Sequence, residues 1–273
     1  MFDVQTAFAL ARTITALIFM VYSSWSDYKT REVENIVWAF FAPLAFGLTI
    51  TELFLYELSQ LPFYGLCFGL TATFAILLFY AGGFGGADAK ALMCLALALP
   101  FYPENEWFRP VFGTVSPISK VFFPLTIFSN ATILVVLPIS WIVLRNLFWR
   151  HKSGRSFFEG TQKNNSIGKK ILVFLTGCKM PIDRLKEKWH IYPLEDVEET
   201  KEGKLERRLF VLPKDESRAA VVSRLENAVK QGIIEDGVWA SPGLPMLVLV
   251  TLGLIFALFF GDVVWAIITF LLK

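Results

Sequence analysis

The chain has 273 residues, of which 55% are hydrophobic, and its mean hydropathy is +0.52. Soluble domains rarely contain more than roughly half apolar residues. Charged residues make up only 18% and the net charge is +2, which argues against a nucleic-acid-binding protein. The cysteines, Cys67, Cys94 and Cys178, form no CxxC pair, which argues against a disulfide framework and a structural zinc site. The composition predicts a polytopic membrane protein.

Six apolar stretches are candidates to cross a bilayer, which requires about 20 residues at a helical rise of 1.5 Å. In chain order they are residues 7–25, 36–55, 61–80, 87–101, 121–148 and 244–272. The fourth is short, and the fifth contains two prolines, which a membrane helix tolerates with a kink. The first has neither a basic start nor a small-residue cleavage site, so we expect it to remain as a helix.

Charges are concentrated in one segment close to the last predicted helix. Residues 145–239 hold 19 of the 26 Lys and Arg and 14 of the 24 Asp and Glu. We predict a membrane domain over residues 1–148, a soluble domain over 149–239 and the last transmembrane helix within 240–273.

The fold class that follows is an all-α polytopic membrane protein with about six transmembrane helices and a small α+β domain inserted before the last helix. In that inserted domain, strand-like runs are predicted at 170–175 and 205–212. An amphipathic helix is predicted over 217–231, with Val221, Leu225 and Val229 on one face and Gly232 after its end.

The basic residues of the short loops predict the orientation of the chain. Seven lysines and arginines follow the first, third and fifth predicted helices, whereas three lie on the other side. We therefore expect a multi-pass protein of the cell membrane, with its N-terminus outside and its charged domain in the cytoplasm.

Two aspartates lie at helix ends on the same predicted side of the membrane. Asp27 ends the first helix, and Asp88 begins the fourth after the glycine-rich run 82–86. One ionised Asp can take a proton from water, while the other, kept protonated by its neighbour's charge, hydrogen-bonds a scissile carbonyl. That chemistry requires no metal and no cofactor. On spacing alone the alternative stands that Asp27 is a boundary residue and Asp88 a charge favoured by the helix dipole.

The residues around both aspartates resemble the motifs of type IV prepilin peptidases, most closely those of the archaeal preflagellin (prearchaellin) peptidases. The segment from Asp27 to Asn35 resembles the first catalytic-aspartate segment of that family. The run Gly85-Gly86-Ala87-Asp88-Ala89-Lys90 resembles its GxGD motif with the following lysine. Ala87 stands where this motif has its second Gly, and Glu34 stands where many relatives have Pro. The turn at 241–245 resembles the archaeal branch and the PAL turn of presenilin-type proteases.

The resemblance implies a membrane-embedded aspartyl endopeptidase with Asp27 and Asp88 as the catalytic pair. Its implied substrates are archaellin- or pilin-like precursors whose short basic leader, followed by a hydrophobic segment, is cut at the cytoplasmic face during archaellum or pilus biogenesis. The residues implied as substrate-binding or site-shaping are Gly85, Gly86, Ala87, Lys90, Asn35, Pro242, Gly243, Leu244 and Pro245.

Two other functions stay open. A presenilin-like enzyme would cleave within a transmembrane segment, and a proton- or cation-coupled transporter would use the same two aspartates as ion sites. The six helices and the segment from Asp27 to Asn35 favour the prepilin-type enzyme. A transporter should show midplane polar residues and paired repeats, and the sequence shows neither.

Other charged residues have simpler predicted positions. We expect Arg12, inside the first helix, to extend its guanidinium outward to the interface. Asp262, late in the last helix, is expected to be an interfacial residue near the outer face. The acidic residues Glu195, Asp196, Glu198 and Glu199 are either docking groups for a basic leader or solvated surface.

Overall fold

The computed structural model describes residues 4–104, 107–111, 115–199, 205–210 and 216–272. The chain divides into two compact units. The first unit consists of Met1–Val135 together with Pro245–Lys273, and the second of Val136–Leu244.

The described residues are mostly helical. The helices are α1 (Val4–Thr30), α2 (Asn35–Tyr56), α3 (Leu61–Tyr80), α4 (Gly86–Ala98), α5 (Pro117–Val121), α6 (Phe123–Leu134), α7 (Val136–Ser153), α8 (Ile167–Thr176), α9 (Ile182–Glu187), α10 (Arg218–Lys230), α11 (Met246–Phe259) and α12 (Val263–Leu271). The strands are β1 (Cys178–Met180), β2 (Tyr192–Pro193), β3 (Glu195–Glu199), β4 (Leu205–Leu209) and β5 (Val238–Ser241).

Four helical stretches are long and apolar enough to cross a membrane, namely Val4–Thr30, Asn35–Tyr56, Leu58–Tyr80 and Phe123–Ser153. The pair α11 and α12 passes the same test together but is bent by 59°, which gives a fifth candidate. Helix α4 has 13 residues, fewer than the ~20 that cross a hydrocarbon core. The protein is a membrane protein with four or five candidate spans in its described residues.

The last helix, predicted as continuous over 244–272, is broken. Gly261 adopts a φ of +86° between α11 and α12, a conformation that favours glycine. Asp262 then caps α12, because its side chain accepts a hydrogen bond of 3.0 Å from the backbone N–H of Trp265. The same side chain accepts a bond of 2.9 Å from Ser116 Oγ. The prediction that Asp262 lies within one long helix was therefore wrong.

Small residues let the helices of the first unit pack closely. Ala91, Leu95 and Ala98 of α4 are fully buried in a cluster that also contains Phe41 of α2. A Cβ on Gly253 of α11 would lie 2.5 Å from the backbone oxygen of Ile127 in α6, so these two helices approach closely at that glycine. Close approach at small residues is typical of helices that pack within a membrane.

Arg12 is buried, which corrects its predicted extension to the interface. Its Nε lies 2.7 Å from Glu52 Oε2, and both side chains are 9% exposed. One guanidinium nitrogen also donates to the backbone oxygen of Ala98 at 3.3 Å. The prediction was wrong because α2 brings a carboxylate opposite Arg12, and pairing makes a charge tolerable inside a membrane protein.

The second unit contains two antiparallel sheets. One has the strand order β1-β5-β2, and the other pairs β3 with β4. Its core includes Val221 and Leu225 of α10, which confirms the amphipathic helix predicted over 217–231. The Ser217 side chain caps this helix, and Gly232 follows it with a φ of +68°.

One of the two predicted strands is a helix. Residues 170–175 lie in α8, which begins after Ser166, whose side chain accepts a hydrogen bond from the N–H of Lys169. A short apolar run is ambiguous between strand and helix, and the capping serine decides for the helix here. The run at 205–212 contains β4, while residues 211–212 lie outside the described residues.

Candidate active site

Asp88 lies in the first turn of α4 and is held by its own turn. Its Oδ2 accepts a hydrogen bond of 2.9 Å from the backbone N–H of Gly85. A Cβ on Gly85 would lie 3.1 Å from that oxygen, tighter than nearly all real contacts. Glycine at position 85 therefore leaves room for the carboxyl beside the backbone.

The glycine-rich run before α4 reverses the chain sharply. Gly82 has a φ of +74°, which favours glycine. The N–H groups of Gly83 and Phe84 both donate to the backbone oxygen of Leu78, at 2.9 and 3.2 Å. This turn ends α3 and presents the start of α4, with Asp88, at one end of the helix bundle.

Asp27 lies in the last turn of α1 and contacts the start of α11. Its carboxyl lies near the backbone N–H of Leu247. The first N–H groups of a helix have no partner within the helix, and they carry partial positive charge that attracts a carboxylate. The start of α11 is therefore a backbone anchor for Asp27.

Two buried hydroxyls join α1 to α11 next to this anchor. Ser24 Oγ donates to the backbone oxygen of Leu247 at 2.9 Å and lies 2.6 Å from Thr251 Oγ1. Thr251 in turn donates to the backbone oxygen of Met20 at 3.1 Å. Ser24 precedes Asp27 by about one helical turn, so these bonds set where the Asp27 carboxyl meets α11.

Asp27 and Asp88 lie at the same end of the first unit, near enough for their charges to interact. Both residues are half-buried, and α1 packs against α4. Within the described ranges, no group of three or more His, Cys, Asp and Glu side chains is placed to hold a metal ion.

Lys90 and Asn35, predicted separately as site residues, contact each other. Lys90 Nζ donates to Asn35 Oδ1 at 2.6 Å, and both side chains are exposed. This bond connects α4 to the first residue of α2. Lys90 lies two positions after Asp88, and its cation is directed at the Asn35 amide.

The remaining predicted site residues have different surroundings. The methyl group of Ala87 packs against the buried cluster of the first unit, and a Cβ on Gly86 would make ordinary contact with Phe79. Pro245 precedes α11 as its N-cap. Pro242, Gly243 and Leu244 belong to the second unit, where Gly243 has a φ of +64°.

Two sequence models of known families match the chain. The model described as the type IV leader peptidase family matches residues 14–140, which contain both aspartates. The model described as the archaeal peptidase A24 C-terminus, type II, matches residues 169–263. These two matches confirm the resemblance inferred from the motifs, and the protein is a membrane peptidase.

Two relatives of this peptidase cover nearly the whole chain. The preflagellin peptidase of Methanococcus voltae is 27% identical over 262 residues, which span 92% of this chain and 96% of the relative. The preflagellin peptidase of Methanococcus maripaludis is 24% identical over 260 residues, which span 91% and 94% of the two chains.

The groups near the aspartates that the sequence did not predict are the hydroxyls of Ser24 and Thr251 and the N–H of Leu247. Hydroxyl side chains within apolar helices are a signal, since they hydrogen-bond across helix contacts in membranes. The N–H of Leu247 had no signal of its own, because every residue except proline carries one.

Two of the four acidic residues predicted as docking groups or solvated surface lie inside the second unit. Glu195 and Asp196 are fully buried and pair with Arg207 and Arg224, so they are neither docking groups nor solvated. Glu198 lies 3.4 Å from Arg208. The side chain of residue 199 lies outside the described residues.

Proposed function

We propose that this protein is an aspartyl endopeptidase that removes the leader peptide from preflagellin-like precursors, with Asp27 and Asp88 as its catalytic pair. The observation that carries the proposal is the position of two carboxyls at one end of the first unit, where Asp88 accepts a bond from the N–H of Gly85 and Asp27 lies near the N–H of Leu247. The substrate class is that named by the preflagellin peptidase relatives.

The pair accounts for each proton in peptide hydrolysis. The ionised carboxyl accepts a proton from a water molecule as the water oxygen attacks the scissile carbonyl carbon. The protonated carboxyl hydrogen-bonds the carbonyl oxygen and stabilises its developing charge. The C–N bond of the resulting tetrahedral intermediate then breaks, and the leaving nitrogen takes a proton from the pair.

Backbone N–H groups lie beside both carboxyls before the substrate arrives. The N–H of Gly85 donates to Asp88 in a turn where an added Cβ would lie 3.1 Å from the carboxyl oxygen, and the N–H of Leu247 lies near Asp27 at the start of α11. Positioned catalytic groups avoid the entropic cost of assembling the pair during the reaction. Lys90 lies on the same helix as Asp88, and its exposed contact with Asn35 of α2 is the proposed edge of the substrate path.

We place the site at the cytoplasmic face, with the N-terminus outside. The basic residues of the short loops support this orientation. With helix α4 as the fourth crossing this topology has six, and the short α4 begins below the bilayer surface at Asp88. The basic leader would then extend into the cytoplasm, and the hydrophobic segment of the precursor would lie along the helices.

Exchanging each aspartate for its amide tests the proposal. Asp27→Asn and Asp88→Asn should each reduce cleavage of a tagged preflagellin in proteoliposomes by at least about 100-fold, since general acid–base catalysis by a positioned group contributes this much. The double variant should be hardly worse than either single one, because the pair acts as a unit.

Asp262→Asn is the matched control. It changes an aspartate of the same unit that caps α12, and it should keep cleavage within a few-fold of the parent. The assignment would be wrong if a correctly inserted Asp27→Asn or Asp88→Asn variant cleaved as fast as this control.

A further inference from the structure

Helix α8 exposes an apolar face in an otherwise charged unit. Ile167 is 73% exposed, Ile171 53% and Leu172 47%, whereas Val173 on the opposite side is fully buried. At about 100° per residue these three exposed side chains span an arc of roughly 140°. Large apolar side chains grouped on one exposed face mark a surface that contacts another apolar phase.

The exposed face is flanked by lysines. Lys169 follows Leu172 by about 60° around the helix, and Lys170 precedes Ile167 by a similar angle on the other side. Lys163 and Lys169 are exposed, and Lys170 Nζ donates to the backbone oxygen of Lys163 at 2.5 Å. An apolar face bordered by lysines is the pattern of helices that lie in the membrane interface.

The position of α8 relative to the membrane follows from its hydrogen bonds to α7, a helix of the same unit. Asn146 of α7 donates to the backbone oxygens of Phe174 and Gly177, at 2.9 and 2.8 Å. These bonds fix the C-terminal end of α8 beside one turn of α7.

That turn lies at the end of an apolar span. Helix α7 completes the stretch Phe123–Ser153 and carries Arg150, His151 and Lys152 in its last turn, where a membrane helix meets the headgroups. Asn146 precedes Arg150 by about 6 Å along the axis. Leu144 and Phe148 of α7 are exposed at the same level, so the C-terminal end of α8 is attached to α7 at a height where α7 has exposed apolar side chains.

We propose that α8 lies on the membrane surface, with Ile167, Ile171 and Leu172 at the boundary of headgroups and acyl chains and the neighbouring lysines on anionic lipid headgroups. The second unit is thereby held against the bilayer by a second contact besides α7. This contact is independent of the catalytic assignment, because α8 carries neither aspartate.

Site-specific fluorescence in the full-length protein tests this contact. Cys67, Cys94 and Cys178 are buried, so a single added surface cysteine can be labelled selectively with an environment-sensitive fluorophore. Ile171→Cys and Ile167→Cys place the label on the apolar face of α8. Ser223→Cys, on an exposed position of α10 in the same unit, is the matched control. The labelled proteins are reconstituted in nanodiscs containing lipids with a spin label high on the acyl chain.

We expect at least about twofold quenching at positions 167 and 171 and none at 223. Quenching should be stronger in discs with phosphatidylglycerol than in discs of phosphatidylcholine alone, because the lysines attract anionic headgroups. Labels at 167 and 171 as unquenched as the one at 223 would overturn the membrane contact. A blue-shifted but unquenched label would also overturn it and would indicate a second copy of the chain. Equal quenching in both bilayers would overturn the lysine–headgroup contact.

Discussion

The two units of this peptidase use different interactions to hold their segments together. In the first unit, hydroxyl groups donate to backbone oxygens of neighbouring helices, as Thr49 does to Leu97 at 2.7 Å and Tyr102 does to Leu258 at 2.8 Å. In the second unit, buried carboxylates pair with guanidinium groups, as Glu195 does with Arg207 at 2.8 Å.

The difference follows from the solvent around each unit. Lipid tails are as apolar as the helices, so helices associate within a membrane through close packing and hydrogen bonds rather than through the hydrophobic effect. Water drives apolar side chains of the second unit into a core, and charged residues caught in that core need partners. Arg12 and Glu52 show that the first unit also buries an ion pair when two helices supply opposite charges.

The largest effect is expected from breaking a buried pair of the second unit. Arg207→Ala should lower the free energy of unfolding by about 3–5 kcal/mol, because it leaves the fully buried Glu195 without its cation. Arg208→Ala is the control. Arg208 is 59% exposed and pairs with Glu198 on the surface, so this substitution should lower the free energy of unfolding by less than about 1 kcal/mol.

The buried thiol of Cys178 in β1 reports on this unit. Its rate of reaction with a maleimide in the intact membrane protein should rise at least about 100-fold in Arg207→Ala and remain near the parent rate in Arg208→Ala. Similar rates in the two variants would mean that the buried pair contributes no more than a surface pair.

A smaller effect is expected from adding one methyl group between α11 and α6. Gly253→Ala should cost about 2 kcal/mol, because its Cβ would collide with the backbone of Ile127 and Ala131. Gly47→Ala is the control. No atom lies within 4 Å of its added carbon, and alanine favours the helix by about 1 kcal/mol over glycine.

The buried thiol of Cys94 in α4 reports on the first unit. It should react about 30-fold faster in Gly253→Ala than in the parent, and no faster in Gly47→Ala. Equal protection in all three proteins would show that the first unit does not depend on close approach of α11 and α6.

The smallest effect on stability, with a distinct effect on activity, is expected from Thr251→Val. The variant removes a hydroxyl that joins α1 to α11 beside the Asp27 anchor, which should cost about 0.6 kcal/mol of stability. The kcat for cleavage of preflagellin should fall about 10-fold, because Asp27 loses its defined position. The enzyme keeps its substrate contacts, so the loss should appear in kcat.

Thr49→Val removes a similar buried hydrogen bond at a position of α2 that is far from both aspartates. This variant should lose the same stability without the loss in kcat. Thr251→Ser keeps the hydroxyl and should restore cleavage. An equal kcat in Thr251→Val and Thr49→Val would mean that the bonds between α1 and α11 only stabilise the fold.

The sequence predicted those features that depend on composition or on short motifs. Apolar stretches indicate membrane helices wherever they lie, and the predicted helix over 217–231 follows from its own serine cap and apolar face. The sequence also placed Asp27 and Asp88 at ends of helices on one side. It failed for residues 170–175, because six residues are too few for periodicity to separate strand from helix.

The amino-acid sequence by itself therefore determined the class of protein, the charged inserted segment and the two aspartate motifs, since each is encoded by neighbouring residues. Only the tertiary structure decided which partners those residues meet. Glu52 reaches Arg12, Leu247 reaches Asp27, and Arg207 reaches Glu195 from other segments of the chain. Local patterns carry no information about such partners, because the free energy of burying a charge or a carboxyl depends on what packs against it after folding.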